Sequence, residues 1–209
     1  MRPLELLAQG TDELGLTIGA TVLEKLAAYA ALLEKWNRTY NLTAIRDARK
    51  TMTHHMLDSL AVLPHLPAGK TADIGSGGGL PGIPIAIAQP ARSITLNDAN
   101  AKKAAFLKQA KIELELRNTN VQEGRVEKWH PQRGYDVVIT RGFSDLAAFA
   151  AACRHLLVPG GALLAMKGAY PREELAALPA DVEAREVAPL RVPFLDAERH
   201  LVCMGVRAS

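Results

Sequence analysis

Residues 71–82 read Thr-Ala-Asp-Ile-Gly-Ser-Gly-Gly-Gly-Leu-Pro-Gly. A short strand, Thr71 to Ile74, runs into four glycines within five positions, and an apolar helix follows to about Ala88. Glycine tolerates positive φ and lets backbone approach a ligand closely. Pro81 suits the first helical turn, where a missing amide hydrogen is no loss. Strand, glycine turn and helix in this order imply a sheet whose strands alternate with helices, and such sheets bind ligands at the carboxyl ends of their strands. The chain keeps that rhythm. Ser93 to Leu96, Asn120 to Gln122, Tyr135 to Thr140 and Ala162 to Met166 read as further strands, the last opened by a Pro159-Gly160-Gly161 turn. Helices are expected over Ala101 to Leu116 and Asp145 to Leu157, and one or two more strands over Val182 to Arg207. Val137, Val138 and Ile139 are apolar on both strand faces, as a strand covered on both sides requires. The fold class is therefore α/β, a mostly parallel sheet with helices on both faces.

Before Lys70 the periodicity is helical. Val22, Leu26, Tyr29, Ala30, Leu33 and Trp36 recur at three- and four-residue steps, and Met56, Leu57, Leu60, Ala61 and Leu63 continue in a later helix that Pro64 and Pro67 end. Residues 1–68 are read as a helical extension and 69–209 as the ligand-binding domain. The two are expected to pack as one unit, because 209 residues are too few for two full domains. With 48% apolar and 22% charged residues, the chain is no disordered or collagen-like sequence. No window reaches the roughly 18–20 apolar residues of a membrane span. No apolar core follows Met1-Arg2-Pro3-Leu4-Glu5, so no secretion signal is expected. Cys153 and Cys203 lack metal spacing and fit core thiols in a reducing, cytoplasmic setting. The net charge of +3 permits nucleic-acid binding without demanding it. Two basic runs, Lys35 to Lys50 and Lys102 to Lys111, read either as anion-facing patches or as solvated helix faces.

The glycine run narrows the ligand. A phosphate-binding loop is excluded, since the Gly69-Lys70-Thr71 that would serve it precedes the strand and has Pro64 where its first glycine belongs. Gly77-Gly78-Gly79-Leu80-Pro81-Gly82 matches G-x-G-x-x-G, and Asp98 lies about 20 residues on, where a carboxylate accepts from ribose hydroxyls. Gly124-Arg125-Val126-Glu127 is placed to wall an adenine, with Glu127 or a backbone amide reading its edge. This constellation alone denotes an adenosine-type cofactor. Asp73 extends it to D-x-G-x-G-x-G, which resembles motif I of class I S-adenosylmethionine methyltransferases. No tyrosine has a lysine four residues later, the acid/base partner hydride chemistry would want. An NAD(P)-dependent oxidoreductase and a non-catalytic adenosine-ligand sensor remain the alternatives.

Further segments carry a more specific likeness. Trp36-Asn37-Arg38-Thr39-Tyr40-Asn41-Leu42-Thr43-Ala44-Ile45, His54-His55-Met56-Leu57-Asp58-Ser59-Leu60, the glycine run, Arg125-Val126-Glu127, Tyr135 to Arg141, Lys167-Gly168 and Arg199-His200-Leu201 resemble, in order, the RsmG (GidB) family. The resemblance implies a class I methyltransferase (Rossmann-like) sheet and S-adenosylmethionine as donor, leaving S-adenosylhomocysteine, with no metal. It implies N7 of guanine 527 in the 530 loop of 16S rRNA as acceptor, so the partner is 16S rRNA or a small-subunit particle and the helical extension lies on the RNA side. A monomer is expected. Motif position assigns cofactor contacts to Gly75, Leu80, Val126, Glu127 and Arg141, beside the Asp73, Gly77, Gly79 and Asp98 of the loop reading. Arg141, after the fourth strand, is the expected catalytic residue. Lys167, Arg199, Arg38 and Arg46 are candidate RNA contacts, against a reading as carboxylate-paired surface cations. Two departures stand out: Gly142 and Ser144, where the family usually has alanines, and Asn97, where an apolar residue is expected. His54 and His55 with Asp58 suggest a metal, but no third strong ligand can be named, so a hydrogen-bonding role between helices is the better reading. Trp36 and Tyr40 are candidates for base stacking; for Trp36 its place on the apolar stripe favours core packing.

Overall fold

The computed structural model describes residues 2–207. Three N-terminal helical pieces come first: α1 (Pro3–Glu13), α2 (Ala20–Tyr40) and α3 (Ala48–Thr51). The last runs unbroken into a π-helical segment (Met52–Leu57) and a closing turn, α4 (Asp58–Leu60). The alternating part follows as β1 (Thr71–Ile74), α5 (Gly82–Ala88), β2 (Ile94–Asp98), α6 (Ala101–Glu113), β3 (Thr119–Glu123), β4 (Tyr135–Arg141), α7 (Leu146–Cys153), β5 (Leu157–Lys167), α8 (Arg172–Ala176), β6 (Val182–Pro189) and β7 (His200–Val206).

The seven strands form one sheet in the order β3-β2-β1-β4-β5-β7-β6. The first five are parallel, and β7 lies antiparallel between β5 and β6. The order reverses between β1 and β4, so their carboxyl ends flank a crevice where loops leave in opposite directions. Side chains of β4 alternate between two cores: Val137 and Ile139 join the N-terminal helices, α5 and α6, while Val138 packs with α7. Leu6, Leu26, Leu33, Met56 and Leu60 share a single buried cluster with Ile83, Leu96 and Leu164. The N-terminal helices therefore form one wall of the domain, held by apolar burial.

Three local expectations shift. Pro159-Gly160-Gly161 lies inside β5 rather than before it, with Gly160 at φ 80° and the register slipping between Tyr135 and Val137. The helix expected to reach Leu157 ends at Cys153 and closes in one 3-10 turn. Pro81 caps α5 instead of entering it, and the Leu80–Pro81 peptide is cis.

Candidate active site

The glycine loop crosses the carboxyl end of β1 and is tied down from several sides. Ser76 N–H donates to the Asn97 carbonyl (2.9 Å) and Gly77 N–H to Asp98 Oδ2 (2.9 Å), which pins the loop to β2. Gly82 N–H donates to Asp73 Oδ2 (2.9 Å). Asp73 is fully buried and Leu80 nearly so, its side chain in the core. Asp73 thus braces the loop from beneath, and Leu80 leaves its backbone for any ligand. Gly75 (φ 67°) faces open space, where a Cβ would meet nothing within 4 Å, and a Cβ on Gly77 (φ 58°) would touch the Gly75 carbonyl oxygen at 3.8 Å. Only glycine holds that backbone without strain, and a side chain there would fill the hollow.

Asp98 closes β2 at the rim, its other oxygen accepting from Asn100 N–H (2.8 Å). Each carboxylate oxygen has two acceptor sites, so neither is saturated. Asn97, buried beneath, donates to the carbonyls of Gln122 and Gly124, both at 2.9 Å. A polar residue belongs there because the loop after β3 bends out of the ladder and leaves carbonyls to satisfy. That bond sets the start of the Val126–Glu127 turn, in which Val126 is buried and Glu127 exposed.

The N-terminal helices reach this loop, which the sequence did not suggest. Tyr29 of α2, fully buried, donates its hydroxyl to the Gly78 carbonyl. Burial raises its pKa, so it stays a donor. Leu33 and Leu42 pack over Gly78. Asn37, also buried, accepts from Thr43 N–H (2.9 Å) and donates to the Ile45 carbonyl (3.2 Å), folding the segment after α2 back over the site.

A second hollow, about 380 Å³, adjoins the ends of β4 and β5 and is walled by Ile45, His54, His55, Asp58, Arg141 and Arg199, among others. Its centre is Asp58, with a side chain 3% exposed. Arg141 Nη1 donates to Asp58 Oδ2 (3.1 Å), and Arg199 Nε donates to Asp58 Oδ1 (2.9 Å). The same Arg141 nitrogen donates to the His54 carbonyl (3.1 Å), within the π-helical segment. His55 sits between walls, Nε2 2.7 Å from Thr43 Oγ1 and Nδ1 3.3 Å from Arg141 Nη2. One carboxylate thus fixes two guanidiniums from distant parts of the chain, and each keeps N–H groups uncommitted.

The sequence-derived cations fall into two groups. Arg141, Arg199 and Lys167 all line this hollow. Lys167 is committed to Glu174 (2.7 Å) and is 12% exposed. Arg38 pairs with Glu34 on the open face of α2, and Arg46 donates to Asn41 (3.0 Å); both are exposed and neither lines the hollow. Trp36 packs edge-on against Phe106 at 5.5 Å, and Tyr40 remains exposed beside it. Gly142 has φ 100°, a conformation L side chains rarely adopt, so glycine is the residue the backbone asks for there. His54 Nδ1 meets Thr53 Oγ1 of its own helical segment (2.6 Å), while His55 ties to Thr43 in the loop after α2 and to Arg141 at the end of β4, so neither bonds helix to helix as expected. No group of three potential ligands clusters among the described residues.

Two buried groups titrate in opposite senses. Burial pushes the Asp73 carboxyl up to about 7, against the Gly82 and Ser76 hydrogen bonds and the Arg141 charge. Burial, with Arg141, pushes His55 down to about 4. Asp73 therefore contributes stability that is full below the ordinary carboxylate pKa and is lost as pH rises through about 7. His55 contributes stability that is full above the ordinary imidazole pKa and is lost as pH falls through about 4. Between the two the slopes oppose. Asp73→Asn should remove the falling arm, so that stability in urea melts climbs from pH 4 to 6.5; a variant with the wild-type profile would show that Asp73 does not titrate in that window.

The strand order, with its antiparallel strand inserted beside the edge, and the open glycine crevice at the switch point define a class I methyltransferase architecture. The described part of the chain superposes on the glycopeptide N-methyltransferase MtfA complexed with S-adenosyl-L-homocysteine (TM-score 0.61, 10% identity, 74% of this chain and 87% of that one). It also superposes on an S-adenosylmethionine-dependent methyltransferase from Thiobacillus denitrificans in complex with S-adenosyl-L-homocysteine (0.55, 13%, 84% and 97%). At such identities the likeness is one of fold. The sequence goes further: a family model described as rRNA small subunit methyltransferase G matches residues 22–202. The ribosomal RNA small subunit methyltransferase G of Laribacter hongkongensis is 55% identical over 203 residues, covering 97% of this chain and 98% of that one. The chain belongs to the rRNA small subunit methyltransferase G family. Among the described residues no helix is long and apolar enough to cross a membrane.

Proposed function

We propose that this protein methylates N7 of guanine 527 in the 530 loop of 16S rRNA, on the free RNA or a small-subunit particle, by direct in-line transfer without an obligatory general base. The observation that carries the reading is the juxtaposition of an open glycine cradle and a cation-walled hollow at one sheet edge. The residues fit S-adenosylmethionine: the cradle offers backbone and space where a Cβ would intrude, and Asp98 keeps acceptor capacity at its rim. Bound there, that cofactor supplies a methyl group on a positive sulfonium. Gly75, Gly77, Gly79 and the Leu80 backbone would seat its amino-acid end, with Asp73 acting indirectly by holding the loop. Asp98 would bind the ribose, and Val126 and Glu127 would flank the adenine.

Guanine N7 carries a lone pair at neutral pH and loses no proton on methylation. The chain therefore has to orient rather than deprotonate, and holding reactants about 3–3.5 Å apart in line accounts for much of such a rate gain. Arg141 and Arg199 would grip the guanine edge or its phosphates with the N–H groups Asp58 leaves uncommitted. Positive charge grows on the purine as it reacts, so cations next to N7 oppose the reaction. The Asp58 carboxylate offsets two guanidiniums at that place. Lys167, drawn to Glu174, and Arg38 and Arg46, on outer faces, are proposed as weaker contacts to the RNA backbone.

Two measurements test this. Tritiated methyl from S-adenosylmethionine should enter 16S rRNA at one guanine, and 7-methylguanosine at position 527 should vanish from a strain lacking the protein. A different nucleotide, or no incorporation, defeats the reading. Separately, S-adenosylmethionine at about 100 times its Kd should stabilise the chain by about 2.7 kcal/mol. Gly75→Ala should abolish that gain while lowering the unliganded stability by only about 1 kcal/mol, the strain of a side chain at positive φ.

A further inference from the structure

The connection leaving β5 carries a side chain with no part in the scheme above. Gly168 lines the hollow, and two residues on Tyr170 is 49% exposed. Its ring is nevertheless held in place. His200 meets it edge-on, centroids 5.5 Å apart and planes at 88°, and the Arg172 guanidinium lies 6.0 Å from its centroid. His200 is itself anchored: its Nδ1 lies 2.8 Å from the Gly168 carbonyl, and its backbone pairs with Lys167 of β5 and Pro189 of β6. The ring is thus oriented in advance, and a tyrosine has few torsions to freeze on contact.

The setting says what such a ring receives. Lys167 and Arg199 line the adjoining hollow, and Arg172 lies against the ring itself. Unpaired RNA is held where a cationic track runs beside aromatic and guanidinium planes on which splayed bases stack. A pocket that takes one base out of a loop also leaves its neighbour unstacked. We propose that Tyr170, backed by Arg172, is the stacking platform for an unpaired nucleotide adjacent to the target guanine. The inference rests on reading the neighbouring hollow as the RNA site.

The test uses the full chain and two readouts. Fluorescence anisotropy with a single-stranded RNA oligonucleotide reads the platform without catalysis. Methyl incorporation into small-subunit particles lacking the modification separates KM from kcat. Tyr170→Ala should weaken oligonucleotide binding and raise the KM for the particle roughly tenfold or more. Its kcat, its KM for S-adenosylmethionine and its Tm should match the parent protein. Tyr170→Phe should behave as the parent, because the ring and not the hydroxyl stacks. Unchanged binding in Tyr170→Ala, a Phe variant as weak as the Ala variant, or a parent chain that binds no RNA overturns the platform. Oligonucleotide binding that depends on Tyr170, without methyl transfer to the particle, overturns the proposed reaction and leaves the platform standing.

Discussion

Arg141→Ala is expected to lower methyl transfer to rRNA a hundredfold or more, the range seen when one donor aimed at a reacting group is removed. Arg141 ends β4 at the switch point and lines the cation-walled hollow. It bonds Asp58 and the His54 carbonyl there, and its charge reaches Asp73 beneath the glycine loop. Arg141→Lys should recover little. A lysine has one nitrogen and cannot serve Asp58, the His54 carbonyl and a substrate atom from a planar fork. The fold should survive, because Asp58 keeps Arg199 and only one of its two ion pairs is lost. An alanine variant with parental turnover would remove Arg141 from the chemistry.

The second large effect is expected at Asp58. Asp58→Ala leaves two guanidiniums facing each other with no carboxylate between them, and breaking a buried pair costs about 3–5 kcal/mol. Both arginines keep some contact with water, at 22% and 24% exposure, which favours the low end. About 3 kcal/mol corresponds to a Tm fall of roughly 6–12 °C for a chain of this size. Activity should fall too. Asp58→Asn separates the effects, since it keeps shape and one acceptor but loses the charge: its Tm should lie nearer the parent while kcat stays low. If Asp58→Asn turns over normally, the carboxylate is structural only. Because the two residues act as one unit, the losses in Asp58→Asn and Arg141→Ala should combine to less than their sum.

Much of the architecture was legible because it is written in local patterns. The strand-glycine-helix succession at residues 71–88, the doubly apolar β4 and the three- and four-residue steps of α2 each reflect a backbone periodicity meeting an apolar surface. The glycine loop was legible for the same reason: Gly75 and Gly77 hold conformations other residues avoid. Where the reading slipped, the cause lay beyond the segment. Pro159-Gly160-Gly161 looks like a turn, yet pairing of Leu157 with Tyr135 draws it into β5 as an irregularity. Asn97 looks out of place until the Gln122 and Gly124 carbonyls are seen to need it.

The division in the site is similar. The sequence alone determined the succession of strands and helices, the glycine loop and the strand end that carries Arg141, since each is written in a short local pattern. It left Asp58 as a doubtful metal partner and Tyr29 as one more apolar stripe residue. Only the tertiary structure joined Asp58 to Arg141 and Arg199, and Tyr29 to Gly78, across separations of 83, 141 and 49 residues. Such contacts leave no periodic trace. They follow from burying the N-terminal helices against the sheet, where a charged or polar group trapped at the seam is costly unless it meets a partner, as Asp58 and Tyr29 do on the opposite wall.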